Sequence, residues 1–162
     1  MTRRLSLFVA ASLLTICAPG CGAAEGVCGP VVHDALDVSS GVHILPGAPT
    51  PSYLVDPPTS GAHQPGPNIP GPSREPIAKQ LQIGVLEEGR VLIQYSDLEQ
   101  ADVKRLEALD SDDVLVAPAA SLPGDTRVAA TAWVTHQNCT AVDIDALVAF
   151  SEHFAGKGPG GH

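Results

Sequence analysis

The chain has 162 residues, with 18 acidic against nine basic side chains and a formal charge of −9. An acidic surface repels phosphate backbones and no basic patch offsets it, so nucleic acid is excluded as an expected partner. The length suits one domain with a modest core.

The first element is an address rather than a fold. Arg3 and Arg4 precede an apolar run from Leu5 to Ile16, and small residues follow. That is the order of a secretory signal, with an apolar run too short to span a bilayer. Residues 1–24 are therefore expected to be a signal peptide, and the mature protein to be periplasmic or extracellular. Cys21 follows Ala18, Pro19 and Gly20, a setting similar to a bacterial lipoprotein box. Cleavage before Cys21 would leave a lipid anchor there, the one expected route to a membrane. Cleavage after Ala24 would instead release 138 residues, with seven cations against 18 acids and a charge of −11. Either way Cys28 and Cys139 remain as an even pair in an oxidising compartment, and a disulfide is expected between them. The competing reading takes His136 and Cys139, spaced H-x-x-C, as metal ligands.

Residues 25–45 form an N-terminal arm carrying His33 and His43. From Pro46 to Pro76 the chain holds 10 of its 15 prolines, which excludes a central strand or a helix. By composition alone this segment reads as a disordered or polyproline linker; the expectation preferred over it is a long ordered loop wrapped over the domain and anchored by Tyr53, Leu54, Val55 and Ile69. Residues 77–156 are expected as an α+β core. "QLQIGVLEEGRVLIQY" reads as two apolar strands split at Glu88-Gly89. "SDLEQADVKRLEALD" reads as a helix with Ser96 and Glu99 in a capping box. "DVLVAP" and "TRVAATAWV" read as strands, and a last helix opens near Asp143 and stops at Gly156 and Gly158. The strand–helix–strand crossover implies a parallel pair and the later short connection an antiparallel one. The fold class expected is thus α+β, a small mixed sheet with two packed helices. Residues 157–162 are expected as a flexible tail ending in His162.

Three motifs occur in order: Pro57-Pro58-Thr59-Ser60-Gly61-Ala62-His63, then Leu86-Glu87-x-Gly89 running into "RVLIQY", then Thr131-Ala132-Trp133. Together they resemble the bacterial family called domain of unknown function 3105. Its members carry P-P-T-S-G-P-H, then H-x-L-E-H-G before a strand, then T-A-W. The resemblance covers about residues 43–159 and implies an exported or membrane-anchored protein with no agreed activity. Three motif histidines in such members suggest a metal site, since neutral imidazole suits zinc, copper and similar ions. Here Gly84 and Glu88 stand where two of them would be, and His63 alone is kept.

The candidate ligand residues are His63, Glu88, His43 and Glu87. For His63 the bland alternative is a ring that ties down its own loop, with Thr59 and Ser60 capping backbone groups. Glu88 is a candidate replacement ligand, or else a solvated turn residue. Glu87 could bond a buried backbone group or His63. In extended chain the two glutamates point apart and cannot share a substrate. Trp133 reads as core. No nucleophile elbow, phosphate loop, H-E-x-x-H or mature C-x-x-C is present.

The leading expectation is a non-catalytic, extracytoplasmic binding module for a protein partner or small ligand, needing no cofactor. The alternative is a zinc- or copper-binding protein using His63 with Glu88 and further histidines, and the third is a hydrolytic enzyme.

Overall fold

The computed structural model describes residues 26–160. The expected signal peptide with Cys21 lies outside them, as does His162. The described chain is α+β, as expected, with a five-stranded mixed sheet and three helices rather than two.

The helix that was not expected is α1, Lys79–Glu87, in place of the first strand of the anticipated hairpin. Its apolar residues form one contiguous block, Ile83, Val85 and Leu86 around Gly84, and so short a run does not separate buried helix from buried strand. The structure buries Gln82 through Leu86 because the helix is covered on both sides, by the sheet and by the proline segment. A Cβ at Gly84 would overlap the Gln64 carbonyl oxygen and crowd Pro67, so a glycine there lets the loop lie on the helix. The Glu88-Gly89 signal is a helix stop, not a hairpin turn. The Gly89 N–H bonds to the Leu86 carbonyl and the Arg90 N–H to that of Val85. With Gly89 at φ +89°, this is the Schellman termination.

The strands β1 (Val32–His33), β2 (Val91–Tyr95), β3 (Val114–Pro118), β4 (Val128–Ala132) and β5 (Thr135–Cys139) lie in the order β1-β5-β4-β2-β3. Strands β2 and β3 are parallel, joined across helix α2 (Gln100–Glu107), as the crossover requires. Strand β4 pairs antiparallel with β2 rather than with β3, and turns back into β5. The polar sequence of β5 hides it from a hydrophobicity reading; it is paired on both sides, by β4 and β1. The expected capping box does not form. Helix α2 starts at Gln100 with Glu99 as its cap and no side-chain cap bond. The Ser96 N–H is held by the Arg127 carbonyl, and Asp97 turns left-handed at φ 51° before the helix can begin. Helix α3 (Ile144–Phe154) does open as expected, the Asp143 carboxylate accepting from the Ala146 N–H at 3.1 Å.

Alternation along the strands divides the core into two layers. Val91, Ile93, Val116, Val128 and Ala130 pack with Leu106, Leu147 and Phe150 under α2 and α3. Leu92, Leu115 and Ala117 pack with Ile77, Val85 and Leu86 under α1, with Trp133 at the margin. The expected disulfide joins Cys28 to Cys139, 111 positions apart, and fastens the arm to the end of β5. Among the described residues no helix is long and apolar enough to cross a membrane.

Candidate metal centre

The P-P-T-S-G-x-H loop is buried from Pro57 through His63, an unusual place for irregular backbone, whose polar groups must all find partners. The arm supplies most of them. The Ser40 and Ser39 hydroxyl oxygens accept from the Gly61 and Ala62 N–H groups at 3.0 Å each. The Ser60 hydroxyl oxygen accepts from the Asp37 N–H at 3.0 Å. Thr59 donates to the Asp34 carboxylate at 2.9 Å, which also takes His136 Nδ1 at 2.9 Å. Thr59 and Ser60 thus cap the arm rather than their own loop. The Tyr53 hydroxyl donates to the Ala62 carbonyl at 3.0 Å. Burial, and after it the charge of Asp37, holds that phenol above its ordinary range, so it keeps its proton.

This clamp fixes the ring of His63, which has no solvent exposure. Its Nδ1 lies 2.8 Å from the Gly61 carbonyl oxygen and its Nε2 2.8 Å from Glu87 Oε2. A carbonyl oxygen only accepts, so Nδ1 carries a proton and donates. A neutral imidazole has a single N–H, which leaves the lone pair of Nε2 facing a carboxylate. Either a second ring proton or a cation between the two completes the contact. Glu87 comes from the last turn of α1, its side chain about a quarter exposed.

The third group is His43, which pairs with His63 in an isolated parallel bridge. The His63 N–H bonds to the Val42 carbonyl and the Ile44 N–H to that of His63. The two rings are therefore neighbours, with centroids 5.1 Å apart and edge to face. His43 Nε2 stands 3.8 Å from Glu87 Oε2, and 54% of its side chain is exposed. The donor atoms of His43, His63 and Glu87 all lie within 4.8 Å of one another.

Of the four candidate ligands, three are brought together and Glu88 is not. Glu88 is exposed at the C-cap of α1, about 100° around the helix axis from Glu87. The reason is the helix itself: neighbours in a helix diverge just as neighbours in a strand do. The H-x-x-C alternative is overturned, because Cys139 is in the disulfide and His136 is bonded to Asp34. Position 84, one turn before Glu87, has no room for an imidazole while Gln64 and Pro67 lie over it. His43, from outside the three motifs, supplies the second ring.

Trp133 packs against the α1 layer of the core, as expected, and is also a neighbour of His63. Its ring meets His63 edge-on with centroids 6.4 Å apart. The two-residue turn that presents it, Trp133-Val134, puts Val134 at φ 50°. A β-branched residue in the left-handed region is a genuine outlier. Such strain persists only where the surroundings over-determine it, and it gathers at functional sites. Here the Val134 N–H bonds to the Thr59 carbonyl and its own carbonyl accepts from Asp34, which locks the hairpin onto the histidine loop.

His43, His63 and Glu87 form a group that could hold a metal ion. Two ligands about 2.0–2.2 Å from a tetrahedral zinc ion stand about 3.4 Å apart, so the 2.8 Å between His63 Nε2 and Glu87 Oε2 is a hydrogen-bond distance that would have to widen to admit an ion. A ligating imidazole donates its other N–H to a carbonyl or carboxylate, fixing tautomer and orientation; the Gly61 carbonyl is in that position. The family described as Protein of unknown function (DUF3105) matches residues 48–162, well over half of the chain, and the chain belongs to that family. No curated protein and no solved structure matches it.

Proposed function

We propose that this member of the DUF3105 family is an extracytoplasmic binding domain that holds a divalent transition metal, zinc or copper, through His43, His63 and Glu87. The observation that carries the reading is the buried ring of His63, whose two nitrogens both face oxygen acceptors. A metal at Nε2 satisfies both, since the lone pair and the carboxylate then bind one cation. Imidazole and carboxylate together suit zinc and copper over magnesium or calcium, which take oxygen ligands. Export is supported by the signal-like order of residues 1–24 and by the disulfide, a bond of oxidising compartments.

The test is metal analysis of untagged protein after reconstitution with zinc or copper. One equivalent is expected for the native sequence and for Glu88→Ala, and none for His63→Ala or Glu87→Ala. Retention by His63→Ala, or loss by Glu88→Ala with Glu87→Ala intact, would refute the assignment. The rim supports a second, compatible reading as a protein-docking face. Val42 and Leu45 flank the exposed His43 and are themselves 51% and 79% exposed.

A further inference from the structure

The other end of α1 carries a second set of buried polar groups. Lys79 and Gln82 share one face of its first turn, and Lys79 lies about 12 Å along the axis from Glu87. Strand alternation turns Gln94 of β2 to the same side as Leu92, toward α1. It stands there between the small side chains of Ala117 and Ala129 on the neighbouring strands. Both glutamines line one cavity of about 250 Å³ beyond the carboxyl ends of β2 and β3, with Ile77, Ala119 and Ala120. Gln82 is 5% exposed and Gln94 2%, yet neither side-chain carbonyl oxygen has a donor among the described residues. The Gln82 amide is oriented by its own N–H group, which donates to the Ile77 carbonyl at 2.7 Å, so the oxygen is its free end. A buried acceptor without a donor is costly, and two around one cavity point to a ligand that brings N–H groups.

The rest of the lining makes the opposite demand. Helix α1 begins at this cavity with no side-chain cap and no acid in its first turn. Its leading N–H groups and the positive end of its dipole favour an anion there. At the lip, Lys79 Nζ and Asp56 Oδ1 pair at 2.8 Å with their side chains 44% and 50% exposed. So exposed a pair contributes little and exchanges partners readily. A small zwitterion meets both demands. Its ammonium suits the glutamine oxygens and Asp56, its carboxylate suits the amino end of α1 and Lys79, and an apolar body suits Ile77 and the two alanines. We infer that this cavity binds a free apolar α-amino acid. Its volume, below that of pockets for drug-sized ligands, fits so small a molecule. The inference is independent of the metal reading.

The test is calorimetric titration of the full chain with L-valine and L-leucine, in the presence of a chelator so that no metal takes part. At least one is expected to bind, with one molecule per chain. The N-acetyl and amide derivatives of the tighter one, each lacking one charge, are expected to bind weaker by about tenfold or more. Gln94→Leu replaces the amide by an apolar side chain of similar size, so the urea midpoint is expected to hold while affinity falls by about tenfold or more. Should that variant lose its fold, Lys79→Gln at the exposed lip decides the same question, with a loss of severalfold expected. No binding of either amino acid, undiminished binding by folded Gln94→Leu or by Lys79→Gln, or derivatives that bind as tightly as the free amino acid would each overturn the site.

Discussion

Asp37 shows how single side chains hold the site in shape from outside it. Its Oδ1 accepts from the Ser39 hydroxyl at 2.7 Å and the Ser39 N–H at 2.8 Å. The hydroxyl bond first, and the backbone bond second, pull its carboxyl below the ordinary value of 3.8. A folded-state value below the unfolded one means that the ion stabilises the turn at and above about pH 4, and that this contribution is lost as the pH falls through the lower folded value. The same turn presents the Ser39 and Ser40 hydroxyls to the histidine loop. Protection of the Gly61 and Ala62 amides, taken relative to their intrinsic exchange rates, is therefore expected to hold down to about pH 4 and to fall below it. Asp37→Asn is expected to exchange faster already at neutral pH; equal protection in the two proteins would rule the mechanism out. Glu87 and Glu88 teach the complementary lesson. Both were legible as candidates, but which of two adjacent carboxylates faces His63 depends on the phase of a helix that the sequence did not reveal.

At the level of elements, α1 is where sequence and structure part. Its apolar block is continuous because proline segment and sheet enclose it from opposite sides, and a helix buried all round loses the periodicity by which helices are recognised. Helices with one wet face were legible, α2 and the opening of α3 at Asp143, and so were β2 and β3, whose apolar runs are buried on both faces and lie across a crossover. Strand β5 was not, since Thr135–Cys139 is polar and earns its place by pairing with β4 and β1 rather than by burial. Two glycine substitutions separate the tasks of α1. Gly89→Ala places a Cβ in a left-handed conformation and is expected to cost about 1–2 kcal/mol in urea unfolding, with metal affinity little changed. Gly84→Ala pushes directly on the residue after His63, so it is expected to weaken metal binding as well as stability. Equal metal affinities in the two variants would show that the loop does not depend on that contact.

Taken whole, the molecule builds its candidate centre from an arm, a loop and a helix that are distant in sequence, and closes them with one covalent tie. The Cys28–Cys139 bond spans 111 positions, and constraining so long a loop in the unfolded chain is worth about 4–5 kcal/mol. The cysteine pairing was legible because only two cysteines follow the expected leader; His43, His63 and Glu87 were legible as candidates, but that these three converge while Glu88 does not depends on how the arm lies against α1. Unfolding in urea is expected to lose that amount when the bond is reduced, and thiol labelling of the native protein to find neither cysteine reactive. An unchanged midpoint on reduction would mean that hydrogen bonds alone hold the arm. The placement of Trp133 has one more consequence. It is the only tryptophan in the chain, and it lies edge-on to His63. The indole emission of the whole protein therefore originates beside one buried ring. Copper(II) at His63 should quench it while zinc should only shift it, so the native molecule carries its own optical gauge of whether the centre is filled.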